Sequence, residues 1–277
     1  TGRLSNSHET IELQDALGGK RNSVAYADEG DWATRQRGLP DHNHRGWLWF
    51  APHDGGGRSL ELINPQMPNS HGQNWAASLV TNGTPGAVNS QFQTNLPPII
   101  LEVRHLPLIP RSVDPVLITA RVLDERGSNV TASLSWRLDG SGPSFSTVPM
   151  LDDGLHNDGV AKDGVFGASL PAQANNAIVE FYVTATDQDG LTRTWPAPAI
   201  DTDGAPLGQA ANALFQVDDS VYAGTFPLFK VIMKDANRTE LAVIGAPNST
   251  DQNSDAQMNS SFISLDGNGT NFRYVTG

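Results

Sequence analysis

Between Asp152 and Gly164 the chain reads Asp-Asp-Gly-Leu-His-Asn-Asp-Gly-Val-Ala-Lys-Asp-Gly, so Asp-Gly pairs fall at 153, 158 and 163, five residues apart. Calcium takes about six to eight hard oxygen ligands, carboxylates and carbonyls, from a flexible loop. A glycine after each aspartate lets the backbone fold back, and carboxylates at this spacing can then converge. The order differs from an EF-hand loop, whose acidic ligands recur at every second residue. On this reading calcium is the expected cofactor, and Asp152, Asp153, Asp158 and Asp163 are its expected ligands, with Asn157 a fifth. The competing reading is a run of Asx turns that needs no metal, since Asp-Gly is also a good turn dipeptide. The intervals are too short to hold strands, so the three pairs are not all hairpin tips.

Three further groups have suggestive chemistry. Asp41-His42-Asn43-His44, with His53-Asp54 downstream, combines imidazole and carboxylate. A zinc site would need about four such donors to converge; a packed, hydrogen-bonded loop is expected instead. Asp187, Asp189, Asp201 and Asp203 are expected as solvated turn residues. Trp32, Trp47, Trp49 and Trp75 either stack on sugars or close a small core, and the core is the expectation, with carbohydrate as the alternative. No Gly-x-Ser-x-Gly elbow, phosphate-cradling glycine loop or His-Glu-x-x-His is present. Cysteine is absent, which removes disulfides, thiolate metal sites and thiol nucleophiles. The chain is therefore expected not to be an enzyme.

The elements that must position these residues read as strands. Ile11 and Leu13 share a face, as do Leu60 and Leu62, the period of a half-buried strand. Leu17-Gly18-Gly19-Lys20 is a hairpin turn. Gly30 to Arg58 holds three of the tryptophans and reads as one long, self-packed loop. Residues 91–98 end in a double proline and read as a linker. Beyond them the alternation is strongest: Ile118, Ala120 and Val122; Leu134, Trp136 and Leu138; Val179, Phe181, Val183 and Ala185. Strands at this spacing, with a turn at Asp187 to Gly190, predict a β-sandwich of immunoglobulin or fibronectin type without its cysteine pair. Residues 201–224, rich in Gly, Ala and Asp, read as a second linker. A strand at Leu228 to Met233 then precedes a short helix, with Asn237 as N-cap and Glu240 at its third position.

Composition agrees. At about 100–200 residues per domain, 277 residues make two or three domains. The 27 glycines and 18 prolines are spread along the chain, which suits short strands joined by turns. With 18 Lys+Arg against 30 Asp+Glu the net charge is −12, a surface that repels phosphate backbones and draws cations, so nucleic acid is not an expected partner. No run of about 18 apolar residues can span a membrane. The chain opens without an initiating Met or a signal-peptide pattern and is read as an internal excerpt.

Leu4-Ser-Asn-Ser7, Gly30-Asp31-Trp32, Gly55 to Leu62, Asn74 to Ser78 and Gly83 to Asn89 together resemble the C-terminal half of a lamin-tail-type immunoglobulin domain in its bacterial secreted form. The resemblance implies opening strands that lie upstream or are supplied by another chain. Asp152-Asp153-Gly154 through Asp163-Gly-Val-Phe166 is similar to immunoglobulin-like domains that follow lamin-tail domains in large bacterial surface proteins. Phe226 to Met233, with Phe262 to Tyr274, resembles the entry to a CotH-type kinase region, whose nucleotide and metal ligands would lie beyond Gly277.

The expected fold is all-β, with tandem immunoglobulin-like β-sandwiches and a short α+β C-terminal segment. Residues 1–92 form a partial lamin-tail-type sandwich, 93–200 an immunoglobulin/fibronectin-like sandwich, 201–224 a linker, and 225–277 the N-terminal fragment of a CotH-like domain. The expected function is a non-catalytic structural or binding region of a large secreted or cell-surface bacterial protein. It would be calcium-stabilised, and would engage a protein partner or assemble with itself. The rivals are the leading part of a CotH-type kinase and a carbohydrate-binding module.

Overall fold

Alternation of apolar and polar residues dictates strands through most of the chain, and the computed structural model forms them. It describes residues 4–5, 7–127, 129–222, 224–247, 250–265 and 272–276, the last five as backbone only. The first part holds β1 His8–Gln14, β2 Lys20–Ala27, β3 Thr34–Arg37, β4 Trp47–Phe50, β5 Leu60–Leu62 and β6 Trp75–Ala77. The middle holds β7 Ile99–Leu106, β8 Val116–Leu123, β9 Thr131–Leu138, β10 Ser146–Met150, β11 Val165–Leu170, β12 Ile178–Thr186 and β13 Thr192–Trp195. Then come β14 Ala199–Ile200, β15 Pro206–Gly208, β16 Ala213–Gln216, β17 Leu228–Ile232, the helix α1 Asp235–Ile244, β18 Ser261–Leu265 and β19 Phe272–Thr276.

The middle strands make an immunoglobulin-like sandwich. One sheet runs β10-β9-β12-β13, with β16 also on β12; the other runs β11-β8-β7. Ile118 and Ala120 of β8 face Leu134 of β9 and Val179, Phe181, Val183 and Ala185 of β12 in one apolar core. These are the residues whose alternation predicted the strands. Their β-branched and aromatic side chains suit a pleated surface buried on one side.

The last strand of the sandwich is broken. β13 pairs with the second half of β12 (Val183↔Trp195 to Thr186↔Thr192), and β16 pairs with the first half (Ile178↔Gln216 to Phe181↔Ala213). Residues 196–212 leave the sheet between them and return. On the way β14 pairs parallel with β3 through Ile200↔Gln36, building a further sheet β15-β14-β3-β4 with the first part of the chain. The stretch 201–224, expected as a linker, thus carries β15 and β16, and Ala213, Leu214 and Phe215 are fully buried. Its small and acidic residues masked a strand only four residues long.

The stretch from Gly30 to Arg58, expected as one long loop, is partly strand. It contains the antiparallel pair β3-β4, in which Arg35 lies opposite Trp49 and Arg37 opposite Trp47. Each guanidinium sits over its partner's indole, 3.9 and 4.9 Å from the ring centroid. The cross-strand contact is cationic on aromatic rather than apolar on apolar, so no hydrophobic alternation marks β3.

The helix begins two residues before the expected cap. Asn237 is inside it, and the first amide, Asp235 N–H, donates to the Asp139 carboxylate at the end of β9, 2.7 Å away. A neighbouring element thus supplies the N-terminal acceptor that the local sequence lacks. Small apolar clusters join the sandwich to its flanks: Met67, Leu96 and Ile99 on one side, and Ile178, Leu214, Ile232 and Ile263 on the other. Among the described residues no helix is long and apolar enough to cross a membrane.

Candidate functional site

The Asp-Gly loop connects β10, in one sheet of the sandwich, to β11, in the other. All five expected ligand residues lie in it, but the carboxylates face amides. Asp158, 1% exposed, accepts from the N–H groups of Asp153 (2.9 Å), Gly154 (3.1 Å) and His156 (3.1 Å). Asp152 accepts from Lys162 (2.6 Å), Asp163 (3.2 Å) and Gly164 (3.0 Å). Asp153 takes the Leu155 N–H and the His156 Nδ1, each at 2.9 Å. Asp163 takes Val160 and Val165, at 3.1 and 2.9 Å. Asn157 is exposed, in the left-handed region at φ 52°. Among the described residues no three His, Asp or Glu side chains are gathered as a metal-holding group.

Two glycines make this packing possible. A Cβ on Gly159, whose φ is +103°, would come within 2.4 Å of the Asp163 carboxylate, and one on Gly167 of β11 within 2.8 Å of His156. The electrostatics follow the hydrogen bonds. The His156 ring, then the Leu155 amide, hold the Asp153 carboxyl below the usual carboxylate range. The Val160 and Val165 amides do the same for Asp163. Amide donors stabilise the ionised form of each.

The histidine group does not converge. His53 Nε2 is 3.0 Å from the Ala27 carbonyl, while His44 lies buried against the C-terminal segment. Of the tryptophans, Trp47 is in a small core with Ala199 and Ala211, Trp32 packs on Trp75 at 5.9 Å, and Trp49 lies under Arg35. The four do not share one flat exposed surface. Burial pushes the Arg35 guanidinium down to about 10, with Glu29 acting against it. Asp187, expected as solvated, is buried: its carboxylate accepts from the Asp189 and Leu191 amides of the turn and from the Asn95 side chain, while Asp201 pairs with Arg45 at 2.5 Å.

Sequence reasoning missed the polar groups that join the parts. Glu180 of β12, 1% exposed, is held by Arg137 of β9 (two contacts at 2.7 Å), by Asn212 (2.9 Å) and by Lys234 ahead of α1 (3.0 Å). Gln73 pairs with the backbone of Ile100 in β7 by donating at 2.7 Å and accepting at 2.9 Å, and donates to Asp31 at 2.8 Å. Glu61, expected on the outward face of its strand, is buried and accepts from Thr84, Ser90 and Gln91. Glu180 keeps the alternation of β12 unbroken, so nothing in the local sequence marked it or Gln73.

The β1-β2 hairpin is amphipathic and open. Ile11, Leu13, Val24 and Tyr26 line one side of a groove of about 580 Å³, and Leu60 and Trp75 line the other. Within the described residues β1 pairs with β2 alone, which leaves its outer edge unpaired.

A family model described as the conditioned medium factor 2nd Ig-like domain matches residues 119–194, from within β8 to within β13. The chain therefore contains an Ig-like domain. No curated protein matches it.

Proposed function

We propose that this chain is a non-catalytic structural and binding region of a secreted or cell-surface bacterial protein. In this reading the Ig-like sandwich is a rigid spacer and the β1-β2 hairpin is the contact surface. The observation that carries it is the coupling of the sandwich to both flanks, through β14 on β3 and through the Glu180 network. Such coupling suits a part that transmits position rather than one that opens and closes around a substrate. The unpaired edge of β1, with its apolar face, is the kind of surface on which a further strand adds.

The partner in this reading is a second copy or another protein chain that supplies such a strand. Light scattering behind a sizing column, across a range of concentrations, tests self-association. The wild type should grow in mass with concentration, and Leu13→Lys should stay monomeric. A wild type that is monomeric throughout would remove self-assembly and leave a different protein as the partner.

Calcium belongs to the same proposal as a stabiliser of the Asp-Gly loop. It would have to draw carboxylates away from the amides they now accept. Thermal melts in calcium and in excess chelator, on the wild type and on Asp158→Ala, decide the point. A ligand at 100 times its Kd adds about 2.7 kcal/mol. A calcium-dependent rise in Tm that the variant loses would place the ion in this loop; superimposed wild-type curves would leave a loop held by its amides alone.

The resemblance of the C-terminal segment to a CotH-type kinase entry gains support from one observation. The expected strand and helix both form there, as β17 and α1. In that reading the scaffold serves a kinase whose catalytic residues lie outside this chain.

A further inference from the structure

The loop before β4 meets the C-terminal segment along a polar seam. Trp47 N–H donates to the Gln257 carbonyl at 2.8 Å, and the Asp41 carboxylate accepts the Asp255 N–H at 2.6 Å. The Ser254 hydroxyl donates to the Asp41 carbonyl at 3.1 Å. The backbones are so close at Gly46 that a Cβ there would stand 2.2 Å from Gln257 N.

His44 lies in the middle of this seam, buried between two acids from two different elements. Its Nδ1 is 3.3 Å from Glu240 of α1. Its Nε2 is 3.6 Å from Asp251, in the 3-10 turn Thr250–Asn253, and among the described residues it has no hydrogen-bond partner although it is shielded from solvent. A neutral imidazole has one N–H and one lone pair, so it can serve only one of two carboxylates; the imidazolium has two donors, one for each. The other charged groups around the seam are Asp41 and Asp255 beside it, and Arg37 of β3, which acts on Glu240 and is itself near Arg45 and Asp201.

We propose that His44 is a pH-responsive latch that fastens the C-terminal segment to the first part of the chain. A second proton on the ring turns the 3.6 Å approach of Nε2 to Asp251 into a charge-assisted hydrogen bond while Nδ1 keeps Glu240. Docking of residues 240–247 and 250–257 therefore tightens when the ring carries that second proton.

Hydrogen exchange followed by mass spectrometry on the whole chain tests it, at pH 5.5 and 8.0, with rates corrected for intrinsic exchange. Peptides covering Glu240 and Asp251 should gain about ten-fold protection at the lower pH, the scale of one hydrogen bond to a charged group, while peptides from β8 stay unchanged. His44→Gln should abolish the difference. Asp251→Asn changes a half-buried partner instead of the seam's centre and should abolish it too, so a poorly folded His44 variant does not leave the proposal untested. Equal protection at both pH values in the wild type, or an undiminished response in Asp251→Asn, would overturn it.

Discussion

Asp158 shows what one carboxylate does in a loop without regular structure. Its two oxygens accept three backbone N–H groups that have no strand or helix partner. Asp158→Ala removes the acceptor of all three amides at a buried position. Some of the freed amides can turn to water, so a loss of about 1–3 kcal/mol is expected by urea titration. His105 sits at the opposite extreme, a fully buried imidazole against Phe181 and Phe215, whose Nδ1 is 3.0 Å from the Pro107 carbonyl. Burial pushes it down to about 4, with the Pro107 carbonyl acting against the shift. An unfolded chain protonates its histidines near pH 6.5. Between those values the unfolded state binds the extra proton, so the stabilising contribution is complete above pH 6.5 and is lost as pH falls toward 4. The loss should be about 3 kcal/mol. A series of urea titrations from pH 7 to 4 should show it in the wild type and show a shallower slope in His105→Leu; equal slopes would assign the acid sensitivity to other groups.

At the scale of elements, Glu180 gathers β9, β12, the excursion through Asn212 and the entry to α1 on one carboxylate. Glu180→Ala would leave Arg137 and Lys234 without their acid, and removing one partner of a buried ion pair typically costs about 3–5 kcal/mol. The lower end is expected here, because both cations are partly exposed and can rehydrate. Near-ultraviolet circular dichroism along a melt should then show the C-terminal segment loosening before the sandwich, where the wild type melts in one step. β8, β9 and β12 were legible in the sequence because one face is apolar at every second residue and that face is the core. β3 was not legible, because its cross-strand contacts are arginine on tryptophan, and β16 was not, because it is short and preceded by glycines and alanines. The Asp-Gly loop was found by its spacing. The direction of its carboxylates was not, since an aspartate that caps an amide and one that awaits a cation have the same sequence. Glu180, Gln73 and His44 act on partners far along the chain, and no local pattern announces such pairs.

At the scale of the whole molecule, the sandwich is flanked by two partial β-layers of different character. The C-terminal layer is fastened by the Ile232 and Ile263 cluster, by Lys234 on Glu180 and by the seam at His44. The first part is fastened through β3 and Gln73, but β1 of the β1-β2 hairpin is exposed along its whole length. That contrast is why association is expected at the hairpin. A single charge at Leu13 should suppress it without touching the core.

The broken last strand of the sandwich also governs how the chain is made. The stretch similar to the Ig-like family ends at residue 194, yet half of the partner that β12 requires arrives only with Ala213–Gln216. During synthesis the apolar face of β12 emerges with that half of its neighbour still unmade, and the sandwich closes only after the excursion has passed over β3. Ribosome-bound intermediates of intermediate length therefore hold a primed but unsealed sheet, and a fragment cut at the family boundary would inherit the same open side.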